Sequence, residues 1–289
     1  MKKLIPRIIG MYLNTLSLVA PKLAARQGFR VFCYPQRAPL QQCHHKFFNS
    51  ASKSWIKYGD EQVQVYKWGS GRNVILFLHG WQSHSFRWKS YVERLLQNDV
   101  TIYALDAPGH GLSKGSQLTV PLYAEIVTQF VRDIGQVHAV VAHSLGAFTV
   151  LFMQHKYPLL PIRKIVLLAS PGEASEFFDS YRRTLGLSSR AAKLIRRRFE
   201  SVIESPVDYF SAPTFAESLL QPGLLIHDEH DEETSVEHSK NIHKAWKRSQ
   251  LVITQGLGHN LKAPVIVEQV ANFVLAEQEI PARMAENDF

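Results

Sequence analysis

Ser144 stands within Ala142-His143-Ser144-Leu145-Gly146, where an apolar run gives way to a stretch of helical character. A serine on such a strand-to-helix turn is forced into a strained backbone conformation, and small residues two positions to either side keep the turn clear of its neighbours. Ala142 and Gly146 meet that need. The turn exposes the hydroxyl and sets it at a helix N-terminus, whose partial positive charge favours a developing oxyanion. That is the chemistry of nucleophilic attack on a carbonyl. A serine that merely caps its helix also fits the pentapeptide, so the context decides.

Polar clusters close four further apolar runs. Leu78-His79-Gly80-Trp81 ends the first, and Asp106-Ala107-Pro108-Gly109-His110-Gly111-Leu112-Ser113 ends the second. His227-Asp228-Glu229-His230-Asp231 and Gly256-Leu257-Gly258-His259-Asn260 end two later ones. In chain order the reactive types at these ends run serine, acid, histidine.

The elements that must position them follow from periodicity. Residues 62–67 alternate as an edge strand would, while 74–78, 101–105, 138–142, 165–169, 224–227 and 251–254 are apolar throughout and read as buried parallel strands. Between and after them, residues 88–97, 121–134, 145–156, 240–248 and 264–277 read as helices. Such alternation predicts an α/β fold, a mostly parallel sheet with helices on both faces, and ligands then bind at the strands' carboxyl ends. Residues 171–218 break the rhythm with helical character, many aromatic residues and seven Lys or Arg between 182 and 198. An insertion there is placed to cover the site, so it reads as a lid.

With the ordered motifs in view, residues 60–280 resemble the α/β-hydrolase family of the lidded kind. With the lid read at 171–218, the core comprises residues 60–170 and 219–289, and the acid-free residues 1–59 form a basic N-terminal extension with an amphipathic helix. The resemblance implies that Ser144 is the nucleophile, His259 the general base, and Asp231 the acid that orients and stabilises the imidazole. The backbone N–H groups of Trp81 and Leu145 would form the oxyanion hole. His79, His110 and His143 compete with His259, which chain order favours. Asp228, Glu229 and Glu232 compete with Asp231, and an acid relocated to Glu173 is the remaining option. Asp106 marks a tight loop and reads as structural. Phe177, Phe178 and Tyr181 are expected to line the lid's underside and favour an apolar acyl or alcohol group. The lid arginines are expected on a solvated face, the alternative being one that reaches inward to a substrate carboxylate.

The leading expectation is a serine hydrolase of carboxylic esters or thioesters that works through an acyl-enzyme, without metal or organic cofactor. The same scaffold serves carbon–carbon hydrolysis, acyl transfer and cofactor-free peroxidation, and a non-catalytic scaffold is a further alternative. Dehalogenases and epoxide hydrolases want an acidic nucleophile where Ser144 stands.

The chain has 289 residues, 45% hydrophobic and 20% charged, which excludes a disordered chain and leaves room for a large core. Two cysteines, Cys33 and Cys43, make no disulfide framework and no zinc-ligand spacing. The net charge of +8 is concentrated: ten of the 33 Lys and Arg lie in residues 1–59, which hold no acid. The rest of the chain carries 23 bases against all 25 acids. Neither basic segment contains a nucleic-acid module, so the expected partner is a small acyl substrate. Residues 4–20 alternate as an amphipathic helix closed by Pro21, with Leu4, Ile8, Tyr12, Leu16 and Val19 on one stripe. Three readings stand for it: a helix packed on the domain, a helix lying in an anionic membrane surface, or a cleaved targeting peptide. A cytoplasmic protein, peripheral at the membrane under the second reading, is the expected location.

Overall fold

Runs such as Val74-Ile75-Leu76-Phe77-Leu78 are apolar on both sides, and only a strand covered on both faces can bury them. In the computed structural model, which describes residues 4–276, they form one eight-stranded sheet. The strands are β1 (Ser52–Tyr58), β2 (Glu61–Trp68), β3 (Asn73–Leu78), β4 (Val100–Leu105), β5 (Val137–His143), β6 (Ile162–Leu168), β7 (Gly223–Asp228) and β8 (Ser249–Thr254). Their order is β1-β2-β4-β3-β5-β6-β7-β8. β2 is antiparallel to both neighbours, and every pairing from β4 to β8 is parallel.

Alternate residues feed two core layers. Leu76, Leu78, Val140 and Ala142 face α5 (Val120–Ile134) and α6 (Leu145–Lys156). Ile75, Phe77, Ala139 and Val141 share the other layer with Val92 of α4 (Lys89–Leu95) and Val270 of α11 (Pro264–Leu275), the helix that follows α10 (Val236–Ala245) and β8. The helix expected to run to residue 277 ends at Leu275, and Glu277 lies outside the described residues, as do Lys2 and Lys3.

Two edges differ from expectation. Residues 62–67 do not form the edge: β1 covers them, pairing Ser52 with Lys67 through Tyr58 with Glu61. Residues 52–58, assigned by sequence to the extension, are thus a strand of the sheet; an edge strand of Ser and Lys, exposed along most of its length, carries no apolar run to announce it. At the far side, β8 is an edge strand with half-exposed residues rather than a buried one.

Between β6 and β7 lie α7 (Ala174–Leu185), α8 (Ser189–Ile203) and α9 (Ala212–Ala216). Before β1 come α1 (Leu4–Val19), α2 (Pro21–Phe32) and α3 (Gln42–Asn49), and α1 and α2 pack onto α7 and α8. Asn14 donates to the Gly186 carbonyl and accepts from Ser188 N–H, and Arg190 donates to the Ser17 carbonyl. The N-terminal helix therefore packs on the domain. The face it packs with is Gly10, Leu13 and Ser17, while the stripe of Leu4, Ile8, Tyr12 and Val19 points outward.

Candidate active site

β5 ends at His143 and α6 begins at Leu145, so Ser144 alone makes the turn, at φ 53° and ψ −123°. A non-glycine residue there is held by its surroundings. A Cβ on Gly146 would lie 2.6 Å from the Leu78 carbonyl oxygen, and one on Gly80 would lie 2.8 Å from Ser144 Cβ. The small residues are required because β3 and its following loop press against the turn.

Three residues brought from the ends of β5, β7 and β8 meet at this turn. Asp231 Oδ2 lies 2.8 Å from His259 Nδ1, and His259 Nε2 lies 2.9 Å from Ser144 Oγ. An ionised carboxylate only accepts, so Nδ1 carries the proton and Nε2 is left to accept from the serine hydroxyl. Burial opposes the charge on Asp231, yet bonds from His227, His259 and Thr234 N–H hold its carboxyl far below the usual carboxylate range. The side chain is fully buried, whereas His259 keeps a little exposure.

The competing acids have other work. Asp228 accepts from Thr254 Oγ1, Leu257 N–H and His230 N–H; burial disfavours its charge, but these bonds hold it below its usual range. Glu173 accepts from Ser211 Oγ, and burial raises its carboxyl. Asp106 accepts from Ser85 N–H and Oγ, Leu112 N–H and the Tyr66 hydroxyl, fastening the loop after β4.

The competing histidines fasten loops as well. His79 donates from Nδ1 to the Gly80 carbonyl and accepts at Nε2 from Ala107 N–H. His110 donates to the Pro108 carbonyl and accepts from Gln82 N–H. His143 donates from Nε2 to the carbonyl of His259 at 2.8 Å, pinning the backbone of that residue. Burial pushes His79 and His143 well below the ordinary imidazole value, so both are neutral donors.

Sequence reasoning missed two members of the cluster. His227 Nε2 lies 3.2 Å from Asp231 Oδ2, and Thr234 donates to the same carboxylate from both its hydroxyl and its N–H. The only signal for His227 was its place at a strand end, four residues before the acid.

Ser144, His259, Trp81 and Leu145 open on a cavity of about 540 Å³. Leu145 N–H is the first of a helix and has no intrahelical acceptor; the Trp81 peptide follows Gly80, which touches Ser144. Phe177, Phe178 and Tyr181 all line this cavity, as does Phe32 of α2. Phe32 stacks on Phe178 with centroids 4.2 Å apart. None of the arginines between 182 and 198 lines it. Arg196 pairs with Glu200 and Asp208, and Arg182 donates to Ser189 Oγ.

Sheet order, inserted helices and a serine on a strained turn after the fifth strand define a class, and the chain belongs to it: the alpha/beta hydrolase family, matched over residues 75–271. Among curated relatives it is 29% identical over 156 residues to a serine hydrolase-like protein of Danio rerio, covering 51% of this chain and 47% of that protein. It is 33% identical over 102 residues to the bifunctional esterase/perhydrolase DCH of Acinetobacter calcoaceticus, covering 34% of this chain and 36% of the relative. The matches thus span less than half the length of these relatives. Among solved structures, the esterase EaEST from Exiguobacterium antarcticum shares the fold, with a TM-score of 0.61, 13% identity, and coverage of 78% of this chain and 100% of that one.

Proposed function

We propose that the protein is a serine hydrolase of carboxylic esters or thioesters that carry an apolar acyl group. The observation that carries this reading is the run of short contacts from Asp231 through His259 to Ser144, opening on a cavity walled by phenylalanines. Kinship with an esterase/perhydrolase agrees with it.

In the proposed reaction Ser144 Oγ attacks the carbonyl carbon as His259 Nε2 takes its proton. The carbonyl oxygen becomes an oxyanion facing the N–H groups of Trp81 and Leu145, and the cation on His259 is balanced by Asp231. The tetrahedral species collapses, His259 protonates the leaving alcohol or thiol, and the acyl group stays on Ser144. Water then enters, gives its proton to His259 and its oxygen to the acyl carbon, and the acid departs as Ser144 regains its proton. Helices α7 to α9 act as a lid, and with Phe32 of α2 they give the acyl chain an apolar site.

Fluorophosphonate labelling of the purified chain tests the reading. Wild-type protein should label and hydrolyse p-nitrophenyl esters, and Ser144→Ala should lose both with an unchanged circular dichroism spectrum. Undiminished ester hydrolysis by the alanine variant would overturn it.

A further inference from the structure

Helix α1 carries its apolar residues on the wrong side for a helix that packs on a domain. Leu4, Ile5, Ile8, Met11, Leu18 and Val19 are each between 55% and 76% exposed, while Ser17 on the inner face is fully buried. At 100° per residue the six fall in a sector of about 140°, interrupted only by exposed Thr15, so they form one strip along a helix about 24 Å long. Scattered exposure of single apolar residues is ordinary, but a continuous strip is not.

The strip is held rigidly rather than dangling. A Cβ on Gly10 would overlap the Leu185 carbonyl, so α1 touches the C-terminal end of α7 backbone to backbone. Asn14 adds two hydrogen bonds to the turn between α7 and α8. The inward face is therefore occupied, and the strip stays outward while these contacts hold.

Charge tells what covers it. In the next helix, Lys22, Arg26 and Arg30 recur at four-residue spacing on the exposed side of α2, and none has an acidic partner among the described residues. No Asp or Glu occurs before Asp60. A second copy of this face would bring like charges together. A surface with an apolar interior and anionic head groups would satisfy both features at once. No helix among the described residues is long and apolar enough to cross a membrane.

We infer that the outward face of α1, flanked by the cationic edge of α2, is a docking surface for an anionic lipid bilayer, with α1 lying in the interface plane. The inference does not rest on the hydrolytic reading. Because α1 is clamped to α7 and α8 by its opposite face, docking would hold those helices behind α1, on the side away from the bilayer.

Vesicle sedimentation with the full chain tests it. Wild-type protein should pellet with vesicles of mixed phosphatidylcholine and phosphatidylglycerol at low salt. It should bind at least about tenfold less to phosphatidylcholine alone. Ile8→Ser with Met11→Ser should lower binding at least about tenfold, with an unchanged melting temperature because both side chains are already exposed. Lys22→Gln, Arg26→Gln and Arg30→Gln together should cost about fivefold per cation and weaken the salt dependence. Wild-type protein remaining in the supernatant with anionic vesicles at low salt overturns the inference, as does equal binding by either variant. So does a dimer in sedimentation equilibrium that the serine variant abolishes while vesicles bind nothing, since a second copy would then be what covers the strip.

Discussion

At Ser144 the backbone is strained, with a positive φ forced on a non-glycine residue by the one-residue turn between β5 and α6. Such a conformation costs on the order of 1–3 kcal/mol in a residue with a Cβ, and glycine is largely free of it. Ser144→Gly should therefore raise unfolding stability by about 1 kcal/mol while abolishing fluorophosphonate labelling. A urea titration showing lower stability than wild type would mean the turn is unstrained. His227 is a positioning residue in the proposed reaction, since its ring nitrogens bond Asp231, Thr234 and Ser239 and not Ser144 or His259. His227→Phe should lower kcat by about tenfold with KM unchanged, and an unaltered kcat would leave His227 a purely structural role. Buried Cys33 lines the same cavity, and burial pushes its thiol up to about 12. A disulfide reagent at pH 8 should count one fast thiol, the exposed Cys43, and release the second only on unfolding. Two fast thiols in the native protein would contradict that burial. Ser144 was legible in the sequence from its place between an apolar run and a helix, whereas Asp231 and His259 stood out from competing acids and histidines only through the chain order that the family resemblance implies. Thr234 and His227 were not, because their roles consist of contacts that no spacing announces.

The elements were legible in proportion to their burial. Strands such as β3 and β6 are apolar on both faces, and helix α6 was located from Leu145 to Lys156 because a buried helix carries its whole signal in its own residues. Strand β1 failed that test, since its neighbour covers one edge and solvent the rest. Helix α1 was legible as amphipathic but not as to which way it faces. Its orientation is set by Gly10, where only a missing side chain permits contact with the Leu185 carbonyl. Gly10→Val should prise α1 from α7, lowering stability by about 1–3 kcal/mol and opening the Arg7 peptide bond to trypsin. Digestion at the wild-type rate would show that Asn14 and Arg190 suffice to hold the helix.

For the molecule as a whole, acid stability should be governed by its buried neutral histidines. His79 and His143 are held well below the ordinary imidazole value and His110 below it, burial being the first cause in each. The unfolded chain takes up these protons as the pH drops below about 6.5 and the native chain does not. Stability from this source is thus complete above that pH and declines below it, by up to about 1.4 kcal/mol per pH unit for each histidine. Asp231 behaves differently: its carboxyl is depressed, so its contribution is complete above about pH 4 and fades only as the pH falls further. Urea titrations between pH 7 and 5 should show a falling stability whose slope is shallower in His110→Gln, and identical slopes would remove His110 from the account. The sequence by itself determined strands β2 to β8, the order of the loops at their ends and the residue types on those loops, because apolar periodicity and residue type are local properties. Only the tertiary structure decided that the three reactive side chains meet within hydrogen-bonding distance and that Phe32 walls their cavity. It alone turned the apolar side of α1 outward, because which surfaces remain uncovered depends on close approaches, such as Gly10 to the Leu185 carbonyl, between segments more than 170 residues apart.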